Sequence, residues 1–413
     1  MANLQSVKGT QDFLPDRYRL FLHISDVARK IASNFAYEEI AVPIFEYTEV
    51  FKRSLGDTSD IVNKEMYTFE DRKGRSITLR PEFTAPIVRS IISNGIQTFP
   101  LRLFSTGPLF RYERPQRGRY RQFHQVNFEN IGSKGPMADA ELISLADHFL
   151  KKLGIVDVTL EINSLGDNVT RSKYTEKLVE YFSKFENDLS DDSKIRLNKN
   201  PLRILDSKDL GDRKLIEGAP LISNFLTKES KAFFDLITSY IDGLNIPYKL
   251  NPSLVRGLDY YTDIVFEFTT DKLGAQGTVL AGGRYDNLIK QMGGADIPAV
   301  GFGAGIERLM ELFEGNIVIP RSVSIFVLSE GCFACGLKLS DQIRLNNIRA
   351  EIDVTNNLNK SMKKALDNNA KFIIFIGDDE VKNNVYKIKD LDSRSEDTLD
   401  INQLMRKILS YGF

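Results

Sequence analysis

The chain has 413 residues, more than one ordinary domain accommodates, so two or three domains are expected. Its 42% hydrophobic and 27% charged residues are those of a globular protein, and 55 basic against 56 acidic side chains leave a formal net charge of -1. That balance excludes a global attraction to nucleic acid or anionic membrane, so any such partner must be held by a local patch.

The start, "MANLQSVKGTQDFLPD", carries neither an apolar leader core nor an Arg-rich amphipathic pattern, and no apolar run in the chain is long enough to span a bilayer. A cytoplasmic protein without a membrane partner is expected. From Arg17 to Phe35 apolar residues recur at helical spacing. "YEEIAVPIFEYTEVF" follows and alternates like a strand broken by Pro43. Strands are expected to dominate from there to about Gly132. "ITLRPEFTAPIVRSII" joins a strand to a helix begun near Pro86, and "LRLFSTGPLFRYERPQRGRYRQFHQVNFENIG" reads as two strands around a polar loop. From about Asp167 to Pro247 the chain turns charged and helix-favouring, as an inserted helical module would. Strand texture resumes at Leu254, and "LVRGLDYYTDIVFEF" reads from its middle onward as a buried strand. The glycine-punctuated "GTVLAGGRYDNLI" and "AVGFGAGIERLMELF" come next. After Pro320 strands alternate with helices, which predicts a small α/β domain with a largely parallel sheet.

Several chemical signatures are absent. "GFGAGIER" lacks the G-x-G-x-x-G spacing of a dinucleotide site, and neither a P-loop nor H-E-x-x-H occurs. A nucleotide would therefore have to be held by side chains. Cys332 and Cys335 form a lone "CFAC", with His23, His124 and His148 far away in sequence. A structural zinc wants four such ligands, so two reduced thiols and no metal site are expected.

Arg111 to Glu129 offers suitable side chains. Alternate residues of a strand share a face, which puts Arg111 with Glu113 before the loop and Arg121, Phe123, Gln125 and Glu129 together after it. Such a floor can pair a phosphate, stack a planar base and accept hydrogen bonds from amines. A solvent-facing hairpin of mixed charge fits the same pattern. Arg256, beside Gly257 at the mouth of its strand, is either a solvated strand end or a reach toward something anionic.

Taken together, the motifs favour the functional readings. "FRYERPQRGRYRQFHQ" and "AVGFGAGIERLM" resemble motifs 2 and 3 of the class II aminoacyl-tRNA synthetases. "LVRGLDYYTDIVFEF" and "GTVLAGGRYDNLI" are similar to the two signatures of histidyl-tRNA synthetases, and "VKGTQDFLPD" and "LRPEFTAPIVR" match that family's N-terminal pattern. The resemblance covers nearly the whole chain, in the family's order.

It implies an α+β catalytic core, with a mainly antiparallel sheet flanked by helices, over 1–166 and 250–318. A helical insertion over 167–249 and a C-terminal α/β anticodon-binding domain over 322–413 complete the expected organisation. It further implies ATP-dependent activation of L-histidine and transfer to tRNA(His) by a homodimer, with Mg2+ shared among the phosphates and "EEIAVPIFEYTEVF" as the motif 1 interface. By resemblance Arg111 holds the α-phosphate, Glu113 the adenine amine, Phe123 the stacked ring and Arg308 the γ-phosphate, with Arg121 among the ATP-binding residues. Glu82, Thr84 and Gln125 take the histidine α-amino group, Glu129 and Tyr261 bracket the imidazole, and Tyr285 completes the pocket. Arg256 joins Arg111 as a catalytic residue, reaching both the α-phosphate and the histidine carboxylate. Gly282, Gly283, Gly301, Gly303 and Gly305 are read as room for close approach. Arg114, Gln116, Arg117 and Arg119 of the motif 2 loop face the tRNA acceptor end. "VTNNLNKSMKKAL" lacks the glycine-rich lead that many anticodon-binding domains show before the basic helix. The alternative is a non-catalytic, histidine-binding regulatory paralogue that assembles with ATP phosphoribosyltransferase. Such paralogues characteristically lack the C-terminal domain.

Overall fold

The computed structural model describes residues 4–56, 59, 61–255, 260–274, 277–354 and 357–413. The chain divides into two units, Met1–Gly315 and Asn316–Phe413.

In the first unit Pro15 opens helix α1 (Pro15–Asn34), where its fixed φ suits the first turn. Ile24, Val27, Ala28 and Ile31 then form the buried stripe that the spacing predicts. "YEEIAVPIFEYTEVF" departs from expectation. It yields two short strands, β1 (Glu38–Glu39) and β2 (Phe45–Tyr47), and then helix α2 (Thr48–Leu55). The two strands lie in different sheets, separated by Pro43, which cannot donate to a ladder. Thr48, at the start of α2, hydrogen-bonds Ser76 and Thr78. Strands β3 (Tyr67–Glu70) and β4 (Ser76–Leu79) join β2 in a small sheet of order β2-β4-β3. Helix α3 (Thr84–Ser93) follows where a helix begun near Pro86 is expected, so the expected strand dominance before Gly132 is interrupted by α2 and by a π-helical turn at Ile61–Glu65.

The large sheet adds β5 (Leu101–Phe110), β6 (Gln122–Ile131), β7 (Thr159–Gly166) and β8 (Tyr248–Leu250). Strands β9 (Thr262–Thr269), β10 (Thr278–Arg284) and β11 (Ala299–Gly305) complete it. Among the described residues it has eight strands in the order β1-β5-β6-β11-β10-β9-β7-β8. Only the outer pairs, β1 with β5 and β7 with β8, are parallel. Helix α4 (Pro136–Lys152) and α1 cover one face, where Val126 and Phe128 of β6 join the core with Phe266 and Phe302. The odd-numbered residues of β6 point to the other face, with α3 and the histidine-signature tyrosines.

Between β7 and β8 lie α5 (Asn168–Phe182), α6 (Asp191–Lys199), α7 (Leu210–Ile216) and α8 (Lys228–Gly243). Asp167 caps α5 through the Thr170 N–H at 2.7 Å and also accepts the Thr227 hydroxyl at 2.8 Å. Asp212 gathers the hydroxyls of Ser190, Ser193 and Ser207, so a buried carboxylate ties three turns of this region together. Helices α9 (Leu288–Gln291) and α10 (Ile306–Leu312) follow β10 and β11.

The second unit contains β12 (Ser322–Val327), α11 (Phe333–Leu345), β13 (Ala350–Val354), α12 (Leu358–Asp367) and β14 (Ala370–Ile376). After α13 (Asp378–Asn383), β15 (Tyr386–Asp390) and β16 (Glu396–Leu399) form an antiparallel pair before α14 (Ile401–Ser410). The sheet order is β13-β12-β14-β15-β16. It is parallel across β13, β12 and β14 and antiparallel beyond them, which corrects the expectation of a largely parallel sheet. Charged, half-wet strands joined by a short turn need no crossover helix. Cys332 and Cys335 are free thiols, the first near Ser329 and Asp378, the second near Tyr386. Among the described residues no helix is long and apolar enough to cross a membrane.

Candidate active site

The site is built on β6. Its odd residues Phe123, Gln125, Asn127 and Glu129 share one face, opposite Val126 and Phe128 in the core. A wide face is possible there because β11 runs alongside with glycines. A Cβ on Gly301 would lie 1.6 Å from Glu129 Oε2, and one on Gly303 would come within 2.7 Å of the Gln125 amide. Only glycine leaves these two polar side chains their space.

Glu129 is 1% exposed and takes three donors. Thr84 Oγ1 donates to Oε1 at 2.6 Å and Asn127 Nδ2 to the same oxygen at 3.1 Å, while the Tyr285 hydroxyl donates to Oε2. Burial nevertheless pushes its carboxyl up to about 7, against those hydrogen bonds. Glu82 is equally enclosed and raised by burial, and it has a structural task. Its two oxygens accept the N–H groups of Thr84 at 2.7 Å and Ala85 at 2.8 Å, capping α3 in place of Phe83, which has no polar side chain. Thr84, expected at the amino group, is also bonded through its hydroxyl to Glu129.

Tyr260, Tyr261 and Tyr285 form the opposite wall, with ring centroids 4.8 Å apart in the first pair and 5.5 Å between Tyr260 and Tyr285. Burial and Glu129 hold the Tyr285 phenol well above its ordinary value, so it stays a donor. Arg284, next in chain to Tyr285, is fully buried and bonded to Asp139 at 2.9 Å and Asp286 at 3.0 Å, which anchors that wall.

At the other end of β6, Arg111 donates to Pro81 O at 2.9 Å, and its guanidinium lies 5.4 Å from the Phe123 ring centroid. Arg111 and Glu113 lie just beyond β5, not on it as the pattern suggested. Arg119 Nε stands 2.7 Å from Glu113 Oε2 without pointing its N–H at the oxygen, so the pair is electrostatic. Arg117 reaches Glu311 at 2.8 Å, and Gln116 and Arg119 form a backbone bridge. Arg121 stacks 3.8 Å from the Tyr112 ring centroid and donates to Glu113 O. Arg308, on α10, donates to Thr278 O, with Arg119, Glu113 and Glu267 in its electrostatic field. Arg114 is exposed at the loop. Arg256 and Gly257 lie outside the described residues.

Two groups of polar side chains therefore share one strand: a buried carboxylate with hydroxyl and amide donors, and a patch of guanidiniums around an aromatic ring. Comparison with known proteins decides the family. A model described as histidyl-tRNA synthetase matches residues 9–170 and 211–309, and one described as anticodon binding domain matches 322–411. The chain belongs to the histidyl-tRNA synthetase family. It is 50% identical over 403 residues to a histidine–tRNA ligase of Rickettsia bellii, covering 97% of each chain. It is 52% identical to one of Wolbachia from Culex pipiens, covering 95% of this chain and 96% of the relative. Among solved structures, apo histidyl-tRNA synthetase of S. aureus superposes with a TM-score of 0.82 at 34% identity, covering 98% of this chain and 99% of that one. The mainly antiparallel core and separate C-terminal α/β domain are this family's fold.

Sequence reasoning passed over Asn127, Tyr260 and Glu307. Asn127 stood in the period between Gln125 and Glu129, a signal that could have found it. Tyr260 and Glu307 each adjoined a chosen residue, Tyr261 and Arg308.

Proposed function

We propose that this chain is a histidine–tRNA ligase, activating L-histidine with ATP and transferring it to the 3′ end of tRNA(His). The observation that carries the reading is Glu129, a buried carboxylate held by Thr84, Asn127 and Tyr285 at the bottom of a tyrosine-walled pocket. A site whose polar groups must be paired rejects apolar amino acids by up to about 10⁴. Glu129, Tyr261 and Tyr285 take the imidazole, while Glu82 and Gln125 take the α-amino group. Thr84 acts through Glu129.

ATP lies along Arg111, Phe123 and Glu113 with its terminal phosphate toward Arg308. Attack of the histidine carboxylate on the α-phosphate forms the C–O–P bond of the adenylate and breaks the bond to the leaving pyrophosphate. Negative charge grows on the bridging oxygens, and the guanidiniums of Arg111 and Arg256 neutralise it. Mg2+ would arrive with the nucleotide. Among the described residues no cluster of three or more ligating side chains exists, and Glu113 and Glu267, which face Arg308, are the carboxylates at hand. The ion would offset phosphate charge.

Arg114, Gln116, Arg117 and Arg119 face the acceptor end, and the 322–413 domain reads the anticodon. The chain works in the cytoplasm as a homodimer through the β1–β2 segment, where Phe45 and Tyr47 are exposed at 55% and 50%. The anticodon-binding match and the full-length ligase relatives weigh against a regulatory paralogue. Pyrophosphate exchange with each of the twenty amino acids tests the reading: histidine alone should support it, and no exchange with any would overturn it.

A further inference from the structure

Strand β6 pairs with β11 only as far as Gln125, opposite Gly305. At Ile306 the chain leaves the sheet for α10, so the next ladder position on β6, His124, has no strand beside it on that side. Its N–H is not left unpaired. Glu307, 1% exposed, accepts it on both oxygens, at 3.0 Å and 2.9 Å. The same carboxylate binds His124 Nδ1 at 2.9 Å, which requires the ring proton to sit on Nδ1. Phe13 and Phe21 pack on the imidazole at 5.6 Å and 4.9 Å, holding the ring against it.

We propose that Glu307 is a positioning residue for the nucleotide half of the site, replacing the missing ladder bond and so fixing Phe123 and Arg308 relative to one another. The inference rests on the placement of ATP proposed above. Its geometry is asymmetric. Phe123 precedes the clamped residue and lies beyond the end of the β11 ladder, and Arg308 directly follows the clamp. Gln125 and Glu129 lie within the ladder on both flanks, facing Gly107 and Leu103 on β5 and Gly305 and Gly301 on β11. Losing the clamp therefore loosens the nucleotide residues and spares the histidine residues. A buried carboxylate serving only as a fold contact would weaken both pockets alike.

The test is calorimetric titration of the full chain with a non-hydrolysable ATP analogue and, separately, with L-histidine. In Glu307→Ala the Kd for the analogue should rise about tenfold while that for histidine stays within about twofold. Glu307→Gln keeps one carbonyl acceptor for the His124 N–H and should show about a threefold rise with the same selectivity. Equal weakening of both ligands, or an unchanged analogue Kd in Glu307→Gln, overturns the proposal. Should the alanine variant fail to fold, the glutamine variant decides alone. Pyrophosphate exchange by the unaltered chain tests the activity independently of these titrations.

Discussion

Arg119 Nε and Glu113 Oε2 stand 2.7 Å apart, so a residue of the loop assigned to tRNA neutralises the carboxylate assigned to the adenine amine. The same loop rests on α10 through Arg117 and Glu311. On the assignments proposed above, the arginines proposed for RNA thus lie against residues proposed for the nucleotide.

The two arginines should separate in experiment. Arg117, with its side chain 67% exposed, makes a surface pair, and Arg117→Ala should leave histidine-dependent pyrophosphate exchange unchanged while slowing aminoacylation. Arg119→Ala releases Glu113 and should lower the KM for ATP by about two- to fivefold, the size of a half-exposed ion pair. A raised KM for ATP would mean that Arg119 holds the nucleotide itself.

Glu129→Ala should weaken histidine binding by about 1.5–3 kcal/mol, the loss for a hydrogen bond to a charged acceptor, with ATP binding near normal. Thr84→Val should act in the same direction and less, since Oε1 keeps the Asn127 donor. Calorimetry with each ligand reads both. Equal losses for histidine and ATP would refute the assignment.

The raised carboxyl of Glu129 gives the free protein a pH signature. Its ordinary value is 4.5 and burial pushes it up to about 7, so between these values the folded chain keeps a proton that the unfolded chain has released. Stability from this group is full below pH 4.5, falls as pH rises through the window, and is level above pH 7. Asp139 and Asp263 are raised in the same direction, so the comparison must be with Glu129→Gln. Relative to that variant, the unaltered protein should lose on the order of 1–3 kcal/mol between pH 5 and 8. Melting curves across this range show it, and a constant difference would contradict it.

Gly301→Ala puts a methyl group 1.6 Å from Glu129 Oε2 and should abolish measurable histidine binding. At Gly305 the added carbon would meet nothing nearer than 3.8 Å, and Gly305→Ala should bind histidine within about threefold of normal. Both variants are to be checked for folding by circular dichroism before titration. Similar behaviour of the two would detach the β11 glycines from the pocket.

Arg256→Ala should cut adenylate formation by about 10² to 10³ at saturating histidine and ATP, the loss typical of one electrostatic stabiliser. Arg256→Lys should recover only part, because a point charge cannot span phosphate and carboxylate as a planar fork does. Single-turnover kinetics beside a melting curve measure this. A normal rate would return Arg256 to a solvated strand end.

The β6 face was legible because a strand projects every second residue one way, and Phe123, Gln125 and Glu129 stand together as that period requires. What joins them to the rest was not legible. Thr84 meets Glu129 across 45 residues and Glu307 meets His124 across 183, contacts that no local pattern encodes. Motif 1 misled through its alternation, since tertiary bonds from Thr48 to Ser76 and Thr78 accompany a helix where the pattern continues a strand. The antiparallel flank of the second unit was hidden by charge, because Lys387 and Lys389 on β15 pair with Glu396 instead of facing a core.

The cap on α3 makes the pocket a caliper. One jaw is Glu82, locked to the helix terminus by two backbone N–H groups, and the other is Glu129, locked to the first residue of the same helix by the Thr84 hydroxyl. On the assignments proposed above, the spacing between the carboxylate for the amino group and the carboxylate for the ring is therefore set at the first turn of α3. An amino acid with the right ring on a side chain one methylene longer would satisfy either jaw, but not both at once.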